Sequence, residues 1–251
     1  MYILIFITGL IFGSFSSVVI HRLHSGEKGI LLGRSKCPKC NNILQPRDLI
    51  PVLSFVINKF KCRFCKKPIP SMYPLLELLM GGSFLLTTYL VGIDDIKKLT
   101  FYLFITFVFV LLSVYDGLYK EVPDEISLPT ILISFFGIWL LNIHSIESIL
   151  TGLLIPVLFF GSLFIFSRGK WLGGGDVRIG AMMGILLGWP NIIIGLFVGY
   201  ALGSVFSIGG IIIKKLSRKS QIPFAPFLFI GTYIAMFWGK DILDWYMGGL
   251  F

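Results

Sequence analysis

Two stretches set acids against an otherwise apolar chain. "LLSVYDGLYKEVPDEISLP", beginning at Leu111, places Asp116 behind the apolar run Phe101–Val110 and follows it with Pro123 and Asp124. "WLGGGDVRIGAMMG" places Asp176 behind Gly173, Gly174 and Gly175 and two residues ahead of Arg178. A carboxylate in or near lipid is costly, so it tends to mark a site. Two facing aspartates suit aspartic-type hydrolysis. A few ångströms apart they cannot both ionise readily, so one keeps a proton while the other accepts one from water. The water attacks a peptide carbonyl and the protonated acid polarises its oxygen. The proton belongs to the pair rather than to either residue.

The neighbours suggest supporting roles. Glycine adopts positive φ and lets backbone approach closely. Gly173, Gly174 and Gly175 therefore predict a hinge that could present an extended peptide and bring Asp176 to another helix; a merely flexible loop is the alternative. Asp124, behind Pro123, is expected to cap the helix starting near Glu125 or to support the site from behind. Glu77, in "YPLLELLM", sits about one turn inside an apolar segment. Two roles stay open for it: pairing with a loop arginine, or touching substrate. Asp94 and Asp95 read as solvated turn acids. His21, His24 and His144 form no H-E-x-x-H pattern, which counts against a zinc hydrolase.

All four cysteines fall in two C-x-x-C pairs, "CPKC" at Cys37–Cys40 and "CRFC" at Cys62–Cys65. Two such pairs about twenty residues apart fit tetrahedral zinc. Nearby lysines and arginines favour thiolate, and a reducing cytoplasm disfavours disulfides. Four cysteines leave no open coordination position, so the expected zinc is structural.

The elements that must position these groups are helices in a membrane. The 251 residues are 55% hydrophobic and only 14% charged. Crossing a hydrocarbon core of ~30 Å takes about 20 helical residues. Eight candidate segments run roughly over 2–20, 74–91, 99–116, 126–141, 146–166, 178–189, 192–213 and 224–239. The fourth and sixth are short, and the sixth is expected to be tilted or re-entrant. Run length favours helices over a barrel. The expected fold is an all-α polytopic membrane protein of about eight transmembrane helices with a small cytoplasmic zinc-binding loop domain. Its parts would be residues 1–20 as the first transmembrane helix, 21–73 as the four-cysteine loop and 74–251 as the membrane-embedded core.

The first basic residue, Arg22, follows the first apolar run, which argues against a cleaved signal peptide and for an anchor with its N-terminus outside. Residues 21–73 carry Arg22, Lys28, Arg34, Lys36, Lys39, Arg47, Lys59, Lys61, Arg63, Lys66 and Lys67. Lys120, Arg168, Lys170, Arg178, Lys214, Lys215, Arg218 and Lys219 fall in later loops on the same side; Lys97, Lys98 and Lys240 fall on the other. The positive-inside rule puts the crowded side in the cytoplasm. Asp116 and Asp176 then lie at cytoplasmic helix ends, at one depth. The net charge of +9 is absorbed by this asymmetry, so no nucleic-acid partner is expected.

At this point the sequence resembles the prepilin peptidases, the type IV leader peptidases of the G-x-G-D aspartic protease class, through most of its length. "FGSFSSVVIHRL" looks like the opening motif, "CPKCNNILQPRDLIPVLSFV" with "KCRFCKKPI" like the zinc loop, and "MYPLLELL" like the entrance to the second helix. "YDGLYKEVPDEISLP" resembles the first aspartate motif, with Asp116 catalytic, and "GGGDVRIGAMMG" the second, with Asp176 catalytic. Ser16-Ser17 stands where the family often has Leu-Asn, and Arg178 where lysine is usual. The resemblance implies removal of short basic leaders from type IV prepilins and pseudopilins, at the cytoplasmic face of the bacterial cytoplasmic membrane. It also implies, for many members, methylation of the new N-terminus from S-adenosylmethionine. Two other readings compete. A proton-coupled polytopic transporter would use the same aspartates, but shows no obvious repeat between halves. A membrane-anchored zinc-binding module would leave the G-x-G-D unexplained.

Overall fold

Apolar runs this long can satisfy their backbone polar groups within lipid only by coiling, and the chain does so. The computed structural model describes residues 1–26, 33–37, 39–170, 172–213 and 221–248. Lys28, Lys214, Lys215, Arg218 and Lys219 of the charge asymmetry lie outside the described residues. Among those described, the regular structure is helical apart from two isolated β-bridges, Lys36 with Ile43 and Lys61 with Pro68. The chain divides into two units, residues 1–107 and 108–251.

The first unit holds α1 (Tyr2–Ser25), the short α2 (Leu53–Ile57), α3 (Met72–Val91) and the first half of α4 (Ile96–Tyr119). Glycines let α1 and α3 touch along their backbones. A Cβ at Gly9 would lie 2.7 Å from the Gly81 Cα, and one at Gly13 would lie 2.6 Å from the Glu77 Cα. Small residues at such a seam are how helices pack where lipid removes the hydrophobic drive. Ser16 and Ser17 are buried and donate to their own helix, to the carbonyls of Phe12 (2.8 Å) and Ser14 (2.7 Å). Asp95 does more than sit in a turn: its Oδ1 accepts from the N–H groups of Lys97 (3.0 Å) and Lys98 (3.1 Å) at the start of α4.

The second unit holds the end of α4, then α5 (Asp124–Leu140), α6 (Ile146–Ser167), α7 (Gly174–Leu187), α8 (Asn191–Ile212) and α9 (Ala225–Gly248). α7 is its core. Every residue from Ile179 to Leu187 is buried, and α5, α6, α8 and α9 all pack against it. A helix apolar on every side belongs in an interior. Gly184 on α7 meets the Gly152 carbonyl of α6, so these two helices also approach at backbone distance. His144 donates from Nε2 to the Leu186 carbonyl at 3.1 Å, which fixes the far end of α7.

Each of the eight apolar stretches forms a helix. Among the described residues, five helices are long and apolar enough to cross a membrane: α1, α3, α4, α6 and α8. α5 has 17 residues and α7 only 14, below the ~20 that span hydrocarbon unaided. α9 is 24 residues long but carries Lys240, Asp241 and Asp244 in its second half. The chain is thus an all-α, multi-pass membrane protein with a cysteine-rich loop.

Candidate active site

Asp116 stands in the last turn of α4, only 6% exposed. A buried carboxylate needs donors, and Asp116 finds one 109 residues away. Its Oδ2 accepts from the Ala225 N–H at 2.9 Å. Ala225 opens α9, so Asp116 serves the unsatisfied N-terminus of a second helix, where negative charge is favoured.

Asp176 is held by its own helix. Gly173 is the N-cap of α7, with φ −79° and ψ 155°, and Asp176 is the third residue inside. Asp176 Oδ2 accepts from the Gly173 N–H at 3.2 Å, and the Asp176 N–H donates to the Gly173 carbonyl at 3.2 Å. This corrects the hinge expectation. None of Gly173, Gly174 and Gly175 has positive φ; the run is the first turn of a helix, closed by the acid that follows it. Close approach is what the glycine at 175 supplies. A Cβ there would lie 2.7 Å from both Cβ and Cγ2 of Val122.

Both acids line one cavity of about 320 Å³, together with Lys120, Glu121, Val122, Gly173, Gly174, Gly175 and Arg178. They are within electrostatic reach of each other. Arg178 ties the rim together: it pairs with Asp124, and its Nη2 donates to the Val122 carbonyl at 3.2 Å. Of the two roles expected of Asp124, the helix cap is not made. It is the first residue of α5, Pro123 occupies the N-cap, and no side chain caps that end; the Arg178 guanidinium draws the carboxylate away. Of the two roles left open for Glu77, the arginine pair is not made among the described residues: in the first unit its Oε2 accepts from the Val52 N–H at 2.8 Å. Val52 has φ +59°, unfavourable for a β-branched residue, and the bond to Glu77 holds it there.

The four cysteines converge. Their sulfurs all lie within 4.8 Å of one another, and a tetrahedral zinc with Zn–S near 2.3 Å would set them ~3.8 Å apart. Both pairs fold alike. The N–H groups of Cys37 and Cys62 donate to the carbonyls of Asn42 and Lys67, and those of Asn41 and Lys66 return to the Cys37 and Cys62 carbonyls. Asn41 and Lys66, each four residues past the first cysteine, both take φ +57°. The burial of Cys62 pushes its thiol up, but the backbone N–H groups of Cys65 and Phe64, with the Cys37 and Cys65 side chains, together draw it down to about 7. The Asn42 N–H draws Cys40 down, yet desolvation and the three other sulfurs drive it up to about 11. Sulfurs that crowd this way release their protons together only to a cation, so the donor set fits one metal ion with no position left open.

Sequence reasoning missed Val122, Glu121 and Ala225. Val122 and Glu121 lie between two residues it did mark, Lys120 and Pro123, and that adjacency was the available signal. Ala225 had none, since only the tertiary fold brings it to Asp116.

The family described as Bacterial Peptidase A24 N-terminal domain matches residues 7–91, and the one described as Type IV leader peptidase family matches residues 102–208. Curated proteins named "Prepilin leader peptidase/N-methyltransferase" are similar along nearly the whole chain. The one from Aeromonas salmonicida is 29% identical over 97% of this chain and 93% of its own length. The Bacillus subtilis protein is 29% identical over 97% of both, and the Pseudomonas aeruginosa protein 26% over 95% of this chain and 91% of its own. No solved structure matches. The chain belongs to the type IV leader peptidase family.

Proposed function

We propose that the chain is a membrane aspartic endopeptidase that removes leader peptides from type IV prepilins and pseudopilins. The observation that carries this reading is the convergence of Asp116 and Asp176 on one cavity. The pair shares one proton. Its ionised member takes a proton from a water held between the acids, the water attacks the scissile carbonyl, and the protonated member hydrogen-bonds the developing oxyanion. The proton then passes to the leaving amine. Arg178, Asp124 and Pro123 position the rim, Gly173 and Gly175 set the seat of Asp176, and Glu77 orders the cysteine loop. Cys37, Cys40, Cys62 and Cys65 hold a structural zinc.

All eight long helices cross the cytoplasmic membrane on this reading, with α5 and α7 sheltered by their neighbours and the aspartates toward the cytoplasm. The net charge of +9 supports that orientation, because basic residues crowd the loops assigned inside. Prepilins, whose leaders lie inside, then meet the acids from the correct side. The parts are a first transmembrane helix over 1–20, a zinc loop over 21–73 and a protease core over 74–251.

N-methylation of the new N-terminus, with S-adenosylmethionine as methyl donor, is the second half of the proposal and rests on the relatives' names. The second cavity, beside Tyr200 and Phe224, is largely apolar and lined by no charged side chain that would meet the cofactor's carboxylate or ammonium. No step is therefore routed through it.

The test is incubation of purified protein with a prepilin. Wild-type protein should release the leader and Asp176→Asn should not. Cleavage by Asp176→Asn would end the diacid reading, and no cleavage by the wild-type protein would leave proton-coupled transport as the use of these acids.

A further inference from the structure

The cysteine loop carries an apolar face that the site above does not use. α2 exposes Leu53, Val56 and Ile57 at 59%, 55% and 74%, and spacing of three and four residues puts all three on one side. Phe55 points the opposite way and packs against Phe60, ring centroids 4.9 Å apart. The helix thus half-buries Phe55 on one side and presents an aliphatic side outward, the reverse of a water-facing helix.

Depth follows from Glu77. α3 has 20 residues, a length of ~30 Å at 1.5 Å per residue, no more than the hydrocarbon thickness. Its first residue, Met72, must then sit at the boundary, and Glu77 lies ~8 Å further in. Glu77 is 8% exposed and accepts the Val52 N–H at 2.8 Å. Because Val52 is the residue that opens α2, this bond fixes α2 at or below the membrane surface. Charge agrees. Residues 49–70 contain no acid, Asp48 is already paired with Arg63 at 3.6 Å, and Lys59, Lys61, Lys66 and Lys67 are exposed.

We propose that α2 is an interfacial wedge. It lays Leu53, Val56 and Ile57 into the headgroup–acyl boundary of an anionic bilayer, with the four lysines at the level of the phosphates. Lipid is the occupant because the wedge lies in the same unit as two helices able to span the membrane, α1 and α3, and because its cationic fringe complements anionic phospholipid.

The test uses the full chain in nanodiscs of phosphatidylglycerol and phosphatidylethanolamine. Ile57→p-benzoylphenylalanine should form lipid adducts on irradiation, several-fold more than the inward-facing Phe55→p-benzoylphenylalanine. Adducts from position 57 to protein alone, or lipid adducts no more abundant than from 55, would overturn the proposal. Amide exchange over residues 50–58 gives a second reading on unlabelled protein. It should slow by about tenfold or more in anionic over zwitterionic discs, given four lysines at the surface. The difference should vanish when all four lysines become glutamine. Equal exchange of the wild-type protein in both lipids would remove the anionic docking surface and the proposal with it.

Discussion

Gly175→Ala isolates the contact that seats Asp176. A new Cβ would fall 2.7 Å from Cβ and Cγ2 of Val122, where carbon atoms prefer 3.5–4.0 Å. Something must yield by roughly 1 Å. Val122 is poorly placed to yield: it is buried, it precedes the N-cap Pro123, and Arg178 holds its carbonyl. α7 is little freer, because every residue from Ile179 to Leu187 beyond its first turn is buried. Overpacking of this kind costs about 1–3 kcal/mol, too little to prevent insertion. Its effect on geometry is larger, since a displacement near 1 Å at reacting groups lowers rate by ~10²-fold. Alanine suits the test because residue 175 has ordinary helical backbone, where alanine is favoured. Only the steric consequence remains.

The assay is single-turnover cleavage of a prepilin in nanodiscs, beside a binding measurement on the same preparation. Gly175→Ala should cleave about 100-fold more slowly with binding nearly unchanged, and Gly175→Val more slowly still. Val122→Gly in the Gly175→Ala background deletes both offending atoms. The next contact is the Val122 nitrogen at 3.5 Å, an ordinary one, so most of the rate should return. Near-normal turnover in Gly175→Ala, or a double variant no faster than the single, would refute the claim that this contact sets the acid.

Asp116→Asn and Asp176→Asn should each lower cleavage by three orders of magnitude or more while the protein still inserts, because an amide holds the shape and cannot carry the proton; prepilin processing measured on membrane fractions decides this. Asp124→Ala should slow turnover by less than about tenfold, since its side chain is 64% exposed and such pairs contribute ~0–1 kcal/mol; adding Arg178→Ala should cost more, because the Val122 carbonyl then loses its donor. Metal analysis under reducing conditions should find about one zinc per chain, consistent with a closed four-thiolate set, and none after Cys37, Cys40, Cys62 and Cys65 are changed to serine. Glu77→Ala, which leaves the Val52 N–H without its acceptor, should loosen the loop at a cost of about 1–3 kcal/mol, visible as faster proteolysis between residues 40 and 62.

What could be read from the sequence was what local chemistry decides. Asp116 and Asp176 stood out because acids beside long apolar runs are costly, and the cysteine pairs because two-residue spacing forms each half of the cluster within one turn. The helices were legible because apolar length is a one-dimensional property. Contacts that need the third dimension were not. Asp116 meets Ala225 across 109 positions, Glu77 meets a backbone N–H rather than an arginine, and nothing near either residue indicates it. The glycine run failed differently. Three glycines in a row look flexible, but an acid three residues past an N-cap is itself a helix-start signal, and that signal decides the conformation here. The same rule, applied to Asp124, gave way because Arg178 offers a charged partner in place of a backbone end.

The two acids share one device, which bears on what they can receive. Asp116 accepts from the first N–H of α9, and Asp176 from the N-cap N–H of its own α7. Both carboxylates are therefore oriented by rigid helix ends rather than by loops, as a diacid that must reuse one geometry through proton transfers requires. Both line a cavity of about 320 Å³. On the proposed reading the scissile carbonyl lies there between the acids, and the exposed Gly173 and Glu121 leave one side of the cavity open to the peptide that carries it.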